Sequence, residues 1–162
     1  MNTKSKIVAV EQLKRLLSKF RRQGKKIAFT NGCFDLLHYG HVSYLEKAKR
    51  GDRILVVGLN SDSSVRCLKG PSRPINNEKV RAAVLAALAC VDFVVIFREE
   101  TPARLIERLM PDILIKGADW KGKEVAGASI VKAAGGKVEL IDYVDNFSTT
   151  KIIDSINAQC TK

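Results

Sequence analysis

The feature that most constrains the fold is a continuous apolar run, Ile54-Leu55-Val56-Val57-Gly58-Leu59, near the middle of the 162-residue chain. A strand with one face in water alternates apolar and polar residues, whereas this run does not alternate. Uninterrupted apolar strands are typical of parallel sheets that helices cover on both faces. The run therefore predicts an α/β fold built around a buried, mostly parallel sheet.

Similar runs recur along the chain and alternate with segments of helical spacing. The sequence predicts five strands, over 27–30, 53–59, 93–97, 113–115 and 138–141. Helices are predicted over 10–22, 41–50, about 61–69, 77–88, from 102, 124–134 and from 148 or 149. This order predicts a Rossmann-like, doubly wound, mostly parallel five-stranded sheet with an extra N-terminal helix. In such a sheet, ligands bind beyond the carboxyl ends of the strands.

The charge of the chain is unevenly distributed. The net charge is +11, and the first 26 residues hold nine of the 28 Lys and Arg residues but one of the 17 acidic residues. A solvated helix face is the commoner explanation for such a segment, so we expect no nucleic-acid partner. A non-catalytic nucleotide- or RNA-binding module that uses this basic arm is the alternative from a different functional class.

The sequence also predicts a cellular location. No apolar stretch reaches the roughly 18–20 residues that span a bilayer, and the N-terminus lacks the apolar core of a secretory signal. The four cysteines (33, 67, 90 and 160) are irregularly spaced, without a C-x-x-C pair. That spacing argues against a zinc site or a disulfide framework and is consistent with a reducing compartment. We therefore expect a cytoplasmic protein with no membrane partner.

Both histidines of the chain lie in His38-Tyr39-Gly40-His41, between the first predicted strand and a predicted helix. A helix N-terminus binds anions, because its free N–H groups and its dipole point outward. The sequence has neither the G-x-G-x-x-G dinucleotide motif nor the G-x-x-x-x-G-K-[ST] P-loop. The imidazole pair therefore predicts a phosphate-handling enzyme. Two other interpretations stay open, in which the imidazoles cap a turn or bind a metal ion together with Asp35.

Other segments that carry polar or reactive groups fit the same chemistry. Ser148-Thr149-Thr150 precedes or opens the last predicted helix and is either a second anion site or an ordinary N-cap. Lys69 and Arg73 lie on a loop with Gly and Pro, either as phosphate ligands or as solvated charges. Cys33 is either a small filler at a tight turn or a thiol nucleophile.

The residues from Asn31 to His41 resemble the H-x-G-H signature of the nucleotidyltransferase superfamily, and 148–153 resemble its second signature. Longer segments resemble the adenylyltransferases that make ADP-activated heptose for lipopolysaccharide. These segments are F-T-N-G-C-F-D-L-L-H (29–38), L-K-G-P-S-R-P-I-N (68–76), V-D-F-V-V (91–95), P-D-I-L-I-K-G-A-D-W (111–120) and F-S-T-T (147–150). The resemblance implies one nucleotidyltransferase domain over 25–162, preceded by a basic helical extension over 1–24.

The resemblance also implies a reaction. AMP passes from ATP, with Mg²⁺, to D-glycero-β-D-manno-heptose 1-phosphate, giving ADP-heptose and pyrophosphate. A separate heptose kinase is implied as pathway partner, and a homodimer as a possible assembly. Alternatives on the same scaffold are a glycerol-3-phosphate cytidylyltransferase and an FAD synthetase. The absence of an arginine just before Ser148 weakens the cytidylyl alternative, whereas 117–120 resembles the loop of that enzyme.

The predicted site has three groups of residues. In the first, His38, His41 and Lys69 are catalytic, and the imidazoles donate hydrogen bonds to phosphoryl oxygens. The second group binds the nucleotide and its phosphates: Asn31, Gly32, Cys33, Phe34, Asp35, Gly40, Arg73, Lys116, Gly117, Asp119, Ser148, Thr149 and Thr150. The third group contacts the substrate: Asn60, Asp62, Arg81 and Trp120. No protein side chain is predicted as a metal ligand, although Asp35, Asp62 and Asp119 are candidates for ribose, base or magnesium contacts.

Overall fold

A five-stranded sheet forms the centre of the computed structural model, which describes residues 2–142, 144 and 147–160, with the backbone alone at 160. The strands are β1 (Ile27–Gly32), β2 (Ile54–Asn60), β3 (Phe93–Phe97), β4 (Ile113–Gly117) and β5 (Lys137–Ile141). Their spatial order is β3-β2-β1-β4-β5. Every adjacent pair is parallel, so the prediction of a mostly parallel, doubly wound sheet is confirmed.

The strand order reverses between β1 and β4, which are neighbours in the sheet although β2 and β3 separate them in the chain. Ala28 pairs with Ile113 and Phe29 with Leu114. The connections that leave these two strands go to opposite sides of the sheet, which opens a crevice beyond their carboxyl ends. The polar residues that end β1 and β4 therefore face one common space.

Helices cover both faces of the sheet. They are α1 (Thr3–Lys6), α2 (Val10–Arg22), α3 (Tyr39–Ala48), α4 (Asp62–Lys69), α5 (Glu78–Ala87), α6 (Ala103–Leu109), α7 (Ala128–Ala133) and α8 (Thr149–Cys160), with a 3₁₀ turn at Ala118–Trp120. Helices α2, α6 and α7 pack on one face, against side chains such as Phe29 and Val56. Helices α3 and α5 pack on the other face, against Leu55 and Val57. Burial on both faces explains why β2 reads as an uninterrupted apolar run.

Helix α2 contributes to the core with its apolar side. Leu13 and Leu17 are fully buried against the sheet. Before this helix, Val8 donates its backbone N–H to the Val94 carbonyl at 3.0 Å. The predicted helix over 10–22 is thus confirmed, and its charged residues lie on the solvent side. The boundary near residue 24 stays a prediction.

The structure shortens one predicted helix. Helix α7 begins at Ala128, not near Glu124, because Gly127 adopts a left-handed backbone with φ 85°. A Cβ at Gly127 would lie 2.6 Å from Ile106 Cδ1, so both the conformation and the packing require glycine. Among the residues described, none of the helices has the length and apolarity that a bilayer span requires.

Candidate active site

A cavity of about 760 Å³ opens beyond the carboxyl ends of the strands. Most of the predicted site residues line it, although they come from distant parts of the chain. They are Asn31, Gly32, Cys33, Phe34, Asp35, His38, His41, Asn60, Lys69, Lys116, Gly117, Asp119, Trp120, Ser148, Thr149 and Thr150. The imidazole pair and the start of the last helix therefore share one cavity.

The two imidazoles lie at the beginning of α3. His38 is the N-cap residue, with an extended backbone, and His41 lies in the first turn. Their rings stack with centroids 3.8 Å apart and planes inclined by 22°. Gly40 permits this arrangement, since a Cβ there would lie 3.1 Å from the His38 ring and 3.2 Å from Phe147 Cβ. Gly40 itself is not part of the cavity wall.

Burial keeps the imidazoles neutral near pH 7. It lowers the pKa of His41 to about 4, with further lowering by His38 and Lys69 and a small opposing effect of the Leu36 carbonyl. Burial also lowers the pKa of His38. Nδ1 of each ring is buried without a hydrogen-bond partner among the described residues. A bound polyanion would favour the protonated rings and raise both pKa values.

Phe34 holds the segment before the histidines in an unusual conformation. Its φ is 43°, in the left-handed region that a bulky residue rarely adopts. The aromatic ring contacts His41, with ring centroids 5.1 Å apart. Strain of this kind is concentrated at functional sites, where surrounding contacts maintain it. Burial raises the pKa of the neighbouring Cys33 thiol, which disfavours the thiolate that a nucleophile needs and supports the filler interpretation.

The start of α8 closes the cavity on another side. Ser148 Oγ accepts a hydrogen bond from the Lys151 N–H at 3.1 Å, so Ser148 caps the helix. Thr149 Oγ1 donates to the Leu36 carbonyl at 3.3 Å and ties the helix to the H-x-G-H segment. Phe147 contacts Tyr39 edge-on, with ring centroids 5.3 Å apart. The capping role and an anion-binding role are compatible, because one cap leaves other N–H groups of the first turn free.

Lys116 and Asn31 face each other at the ends of β4 and β1. Lys116 Nζ donates to Asn31 Oδ1 at 2.6 Å and lies 5.0 Å from the centroid of the Trp120 ring. Lys116 is 6% exposed. Burial lowers its pKa to about 8, against an opposing effect of Asp119. A buried ammonium group thus borders the cavity at the point where the strand order reverses.

The structure places Arg73 behind the cavity wall, although it was predicted as a phosphate ligand. Arg73 Nε donates to Asp35 Oδ2 at 2.6 Å. The Asp35 carboxylate also accepts from the Ile75 and Asn76 N–H groups at 2.8 and 3.1 Å. Asp35 therefore anchors the 70–77 loop beside the cavity, and Arg73 neutralises its charge. Lys69, by contrast, lines the cavity, and its catalytic role stays a prediction.

Arg81 and Asp62, predicted as substrate contacts, do not line this cavity either. Arg81 is 2% exposed and donates to the carbonyls of Asn76, Cys33 and Asn60, at 2.9, 2.5 and 2.8 Å. Arg81 Nη2 also donates to Asp62 Oδ1 at 2.8 Å. Their charges balance each other, so these residues hold the ends of β1 and β2 in place instead of facing the cavity.

Several residues of the cavity wall were not predicted. They are Tyr44, Leu68, Glu100, Thr101, Pro102, Ala126 and Phe147. The segment 100–102 follows β3, and the rule that ligands gather at strand ends would have identified it. Tyr44 lies one helical turn after His41, and its hydroxyl is 2.8 Å from Thr30 Oγ1. Nothing in the local sequence indicates Leu68 or Ala126.

The residues of the cavity do not form a metal site by themselves. No cluster of three or more His, Cys, Asp or Glu side chains suited to a metal ion occurs in the described part of the chain. Asp35 is occupied by Arg73 and two backbone N–H groups, which leaves Glu100 and Asp119 as carboxylates on the wall. This donor set fits Mg²⁺ that enters with nucleotide phosphates, because Mg²⁺ commonly takes one or two carboxylates plus phosphate oxygens.

The chain is similar to curated bacterial proteins named bifunctional protein HldE. The protein from Syntrophotalea carbinolica is 57% identical over 152 residues, and the one from Geotalea uraniireducens is 52% identical over 158 residues. These matches cover 94% and 98% of this chain but 31% and 32% of the relatives. The chain therefore spans about one third of the length of these proteins.

Two solved structures share the fold. The lipopolysaccharide core biosynthesis protein from Thermoplasma volcanium GSS1 has a TM-score of 0.61 and 29% identity, over 74% of this chain and 96% of that one. The pantoate-beta-alanine ligase from Francisella tularensis has a TM-score of 0.57 over 93% of this chain and 76% of that one. At 15% identity, the second likeness shows the fold alone.

A family model covers most of the chain, from the last residues of β1 to the middle of α8. The matched residues, 29–155, include the H-x-G-H segment, the Lys116 strand end and the hydroxyl-bearing start of α8. The parts of the cavity described above therefore all lie within the match. With this sheet order, this imidazole pair and this match, the chain belongs to the cytidylyltransferase-like family of nucleotidyltransferases.

Proposed function

We propose that this chain transfers AMP from ATP to D-glycero-β-D-manno-heptose 1-phosphate and releases pyrophosphate. The observation that carries the proposal is that the imidazole pair on α3 and the N-terminus of α8 line the same cavity. Two helix N-termini and two imidazoles provide N–H donors for a bound triphosphate. The cavity also borders Lys69 and Lys116, whose positive charges suit a polyanion.

The reaction needs positioning and charge stabilisation. A phosphate oxygen of the acceptor attacks the α-phosphorus of ATP, and the bond to the pyrophosphate oxygen breaks in line. Negative charge grows on the α-phosphoryl and bridging oxygens during this step. Imidazole N–H groups of His38 and His41 would stabilise that charge, while Ser148, Thr149 and Lys69 hold the phosphates. Magnesium, when bound with the nucleotide, would neutralise charge on the phosphates, with Glu100 and Asp119 as the available carboxylates.

The choice of substrates rests on similarity. The segments 29–38, 68–76 and 111–120 resemble heptose adenylyltransferases, and relatives at 52–58% identity carry the name bifunctional protein HldE. The structural relative from Thermoplasma volcanium GSS1 is described as a lipopolysaccharide core biosynthesis protein, which supports an acceptor of that pathway. A glycerol-phosphate cytidylyltransferase activity is the second candidate, favoured by the name of the matching family and by the 117–120 segment.

The proposal has consequences for partners and location. We expect a separate heptose kinase to supply the sugar 1-phosphate that the reaction consumes. A cytoplasmic location suits an enzyme that uses ATP. A homodimer, which the resemblance implied, stays a prediction that light scattering on the purified protein would test.

The test pairs each candidate nucleotide with each candidate acceptor. The purified protein is mixed with Mg²⁺, with ATP or CTP, and with heptose 1-phosphate, glycerol 3-phosphate or FMN. Pyrophosphate release is measured, and the products are identified by mass spectrometry. We expect pyrophosphate release only in the mixture of ATP and heptose 1-phosphate, with ADP-heptose as the product. As controls, His41→Asn should lose this release, whereas Arg104→Met, an exposed substitution on α6 away from the cavity, should retain it.

Two outcomes would contradict the proposal. Turnover with CTP and glycerol 3-phosphate, and none with ATP, would establish the cytidylyl alternative. No pyrophosphate release with any pair, together with salt-sensitive RNA binding that is lost on deletion of residues 1–24, would favour the non-catalytic module.

A further inference from the structure

We propose that Lys116, oriented by Asn31, binds the phosphate group of the acceptor and not the phosphates of the nucleotide. The inference rests on the proposed function, because it assigns the two substrates of that reaction to different parts of one cavity. It also departs from the role in nucleotide binding that the sequence predicts for Lys116. Four observations support it: the position of Lys116, the absence of a carboxylate contact to it among the described residues, the arrangement of the other donors, and the neighbouring Trp120.

Lys116 lies at the point where the order of the strands reverses. The pairing of Ala28 with Ile113 and Phe29 with Leu114 brings Asn31 and Lys116 opposite each other at the ends of β1 and β4. The 2.6 Å hydrogen bond from Lys116 Nζ to Asn31 Oδ1 fixes the ammonium group at this place. Both residues line the cavity, so the ammonium group borders the crevice where ligands of doubly wound sheets bind.

Among the described residues, no carboxylate contacts the Lys116 ammonium group, and the Asp119 carboxylate on the same cavity wall stabilises its charge only from further away. No carboxylate of the described residues lies within 4.0 Å of its ammonium group, whereas Arg73 and Arg81 each contact one. Its hydrogen bond goes to a neutral amide and uses one of three N–H donors. A buried charge is costly unless an anion or several hydrogen bonds compensate for it. An anionic ligand would supply that compensation.

The other donors of the cavity are arranged for a different phosphate group. The imidazoles lie at the start of α3, and Ser148 and Thr149 lie at the start of α8. At each place the side chains are therefore next to the backbone N–H donors of a helix of ten or more residues. Only a three-residue 3₁₀ turn, Ala118–Trp120, follows Lys116. An extended triphosphate suits the several donors of the two helices, and the single full charge of Lys116 suits a compact monophosphate. In-line attack requires the acceptor phosphate to approach the α-phosphorus from the side opposite to the leaving pyrophosphate.

Trp120 fits a sugar better than it fits a phosphate. Its ring centroid lies 5.0 Å from Lys116 Nζ, and the side chain lines the cavity. An aromatic face packs against apolar C–H groups and leaves the hydroxyls of a sugar free to bind water or polar groups. A sugar 1-phosphate presents an apolar ring face next to a charged group. The pair of Lys116 and Trp120 therefore matches the acceptor in both parts.

The test compares three variants in the pyrophosphate-release assay with ATP, Mg²⁺ and heptose 1-phosphate. Lys116→Met removes the charge and keeps a similar volume, Lys116→Arg keeps the charge, and Lys123→Met removes an exposed charge from the loop that follows. The KM for the acceptor is measured at saturating ATP. The Kd for ATP without acceptor is measured by calorimetry, and thermal unfolding confirms that each variant folds.

We expect Lys116→Met to raise the acceptor KM by about tenfold or more and to change the ATP Kd by less than about twofold, since a charge-assisted contact is lost on one side only. The acceptor KM of Lys116→Arg should stay much closer to that of the unsubstituted protein. Lys123→Met should match the unsubstituted protein in both the acceptor KM and the ATP Kd. An increase in the ATP Kd as large as that in the acceptor KM, or an unchanged acceptor KM, would overturn the inference while the proposed function stands. No pyrophosphate release by the unsubstituted protein with heptose 1-phosphate would overturn both.

Discussion

The imidazole rings of His38 and His41 stack with centroids 3.8 Å apart, which couples their protonation. A charge on one ring disfavours a charge on the other, and burial acts in the same direction on both. Near pH 7 the pair is therefore neutral. A neutral imidazole still donates one hydrogen bond, so the pair can stabilise phosphoryl oxygens without holding two buried charges beforehand.

The first prediction concerns His41 in the proposed transfer reaction. His41→Asn should lower kcat by about a hundredfold or more, because a donor aimed at charge that develops in the transition state is lost. Steady-state kinetics of pyrophosphate release measure the change, and circular dichroism confirms the fold. Arg104→Met, on the exposed side of α6, serves as the control. A kcat within about twofold of the unsubstituted protein would exclude the proposed role.

The second prediction concerns pH and stability. The pKa of His41 is lowered to about 4 in the folded protein, whereas the unfolded chain keeps a value near the ordinary 6.5. Between these values the unfolded state binds more protons, so His41 favours unfolding as the pH falls from about 6.5 towards 4. We expect the free energy of unfolding to decrease over this range by more in the unsubstituted protein than in His41→Asn. Urea denaturation at pH 7.5 and pH 5 measures this difference, and equal decreases in the two proteins would contradict it.

The third prediction concerns Gly40. A Cβ added there would lie 3.1 Å from the His38 ring and 3.2 Å from Phe147 Cβ, closer than side chains normally approach. Gly40→Ala should therefore displace His38. We expect kcat to fall by about tenfold, because even a small misplacement of a catalytic group slows the reaction. Stability should change little, because the gain of about 1 kcal/mol from alanine within a helix offsets the crowding. Ser43→Ala, further along α3, is a control that should leave kcat unchanged.

The fourth prediction concerns the buried Arg81. Its guanidinium group donates to three carbonyls and to Asp62. These hydrogen bonds hold the ends of β1 and β2 in place beside the cavity. Arg81→Met should lower the free energy of unfolding by about 3 kcal/mol or more, because the partners are left without donors. Urea denaturation measures the loss, with the exposed Arg104→Met as control. A loss below about 0.5 kcal/mol would show that the network does not stabilise the fold.

The strands and most helices were predictable because their signals are local. The apolar run at 54–59 appears as β2, and the amphipathic pattern at 10–22 appears as α2. The predicted helix over 124–134 was too long because Gly127 adopts a left-handed backbone and packs against Ile106, a residue that is distant in the sequence. Local periodicity carries no information about such a contact.

The site was predictable where a motif marks it. The sequence identified the imidazole pair, Lys69, Lys116 and the start of α8, and all of them line the cavity. It could not separate Lys69 from Arg73, because both are cations four residues apart and the local sequence does not show which one meets a carboxylate. The structure separates them, since the buried Asp35 carboxylate holds Arg73 behind the wall.

The sequence by itself determined the class of fold and the residue types available for the chemistry. The reason is that uninterrupted apolar runs and helix-capping residues are patterns of residues close together in the chain. Only the tertiary structure decided which charges are compensated and which face the cavity. That outcome depends on pairs far apart in sequence, such as Asn31 with Lys116 and Cys33 with Arg81. The free energy of a buried charge is set by its partners in space, and strand pairing brings those partners together.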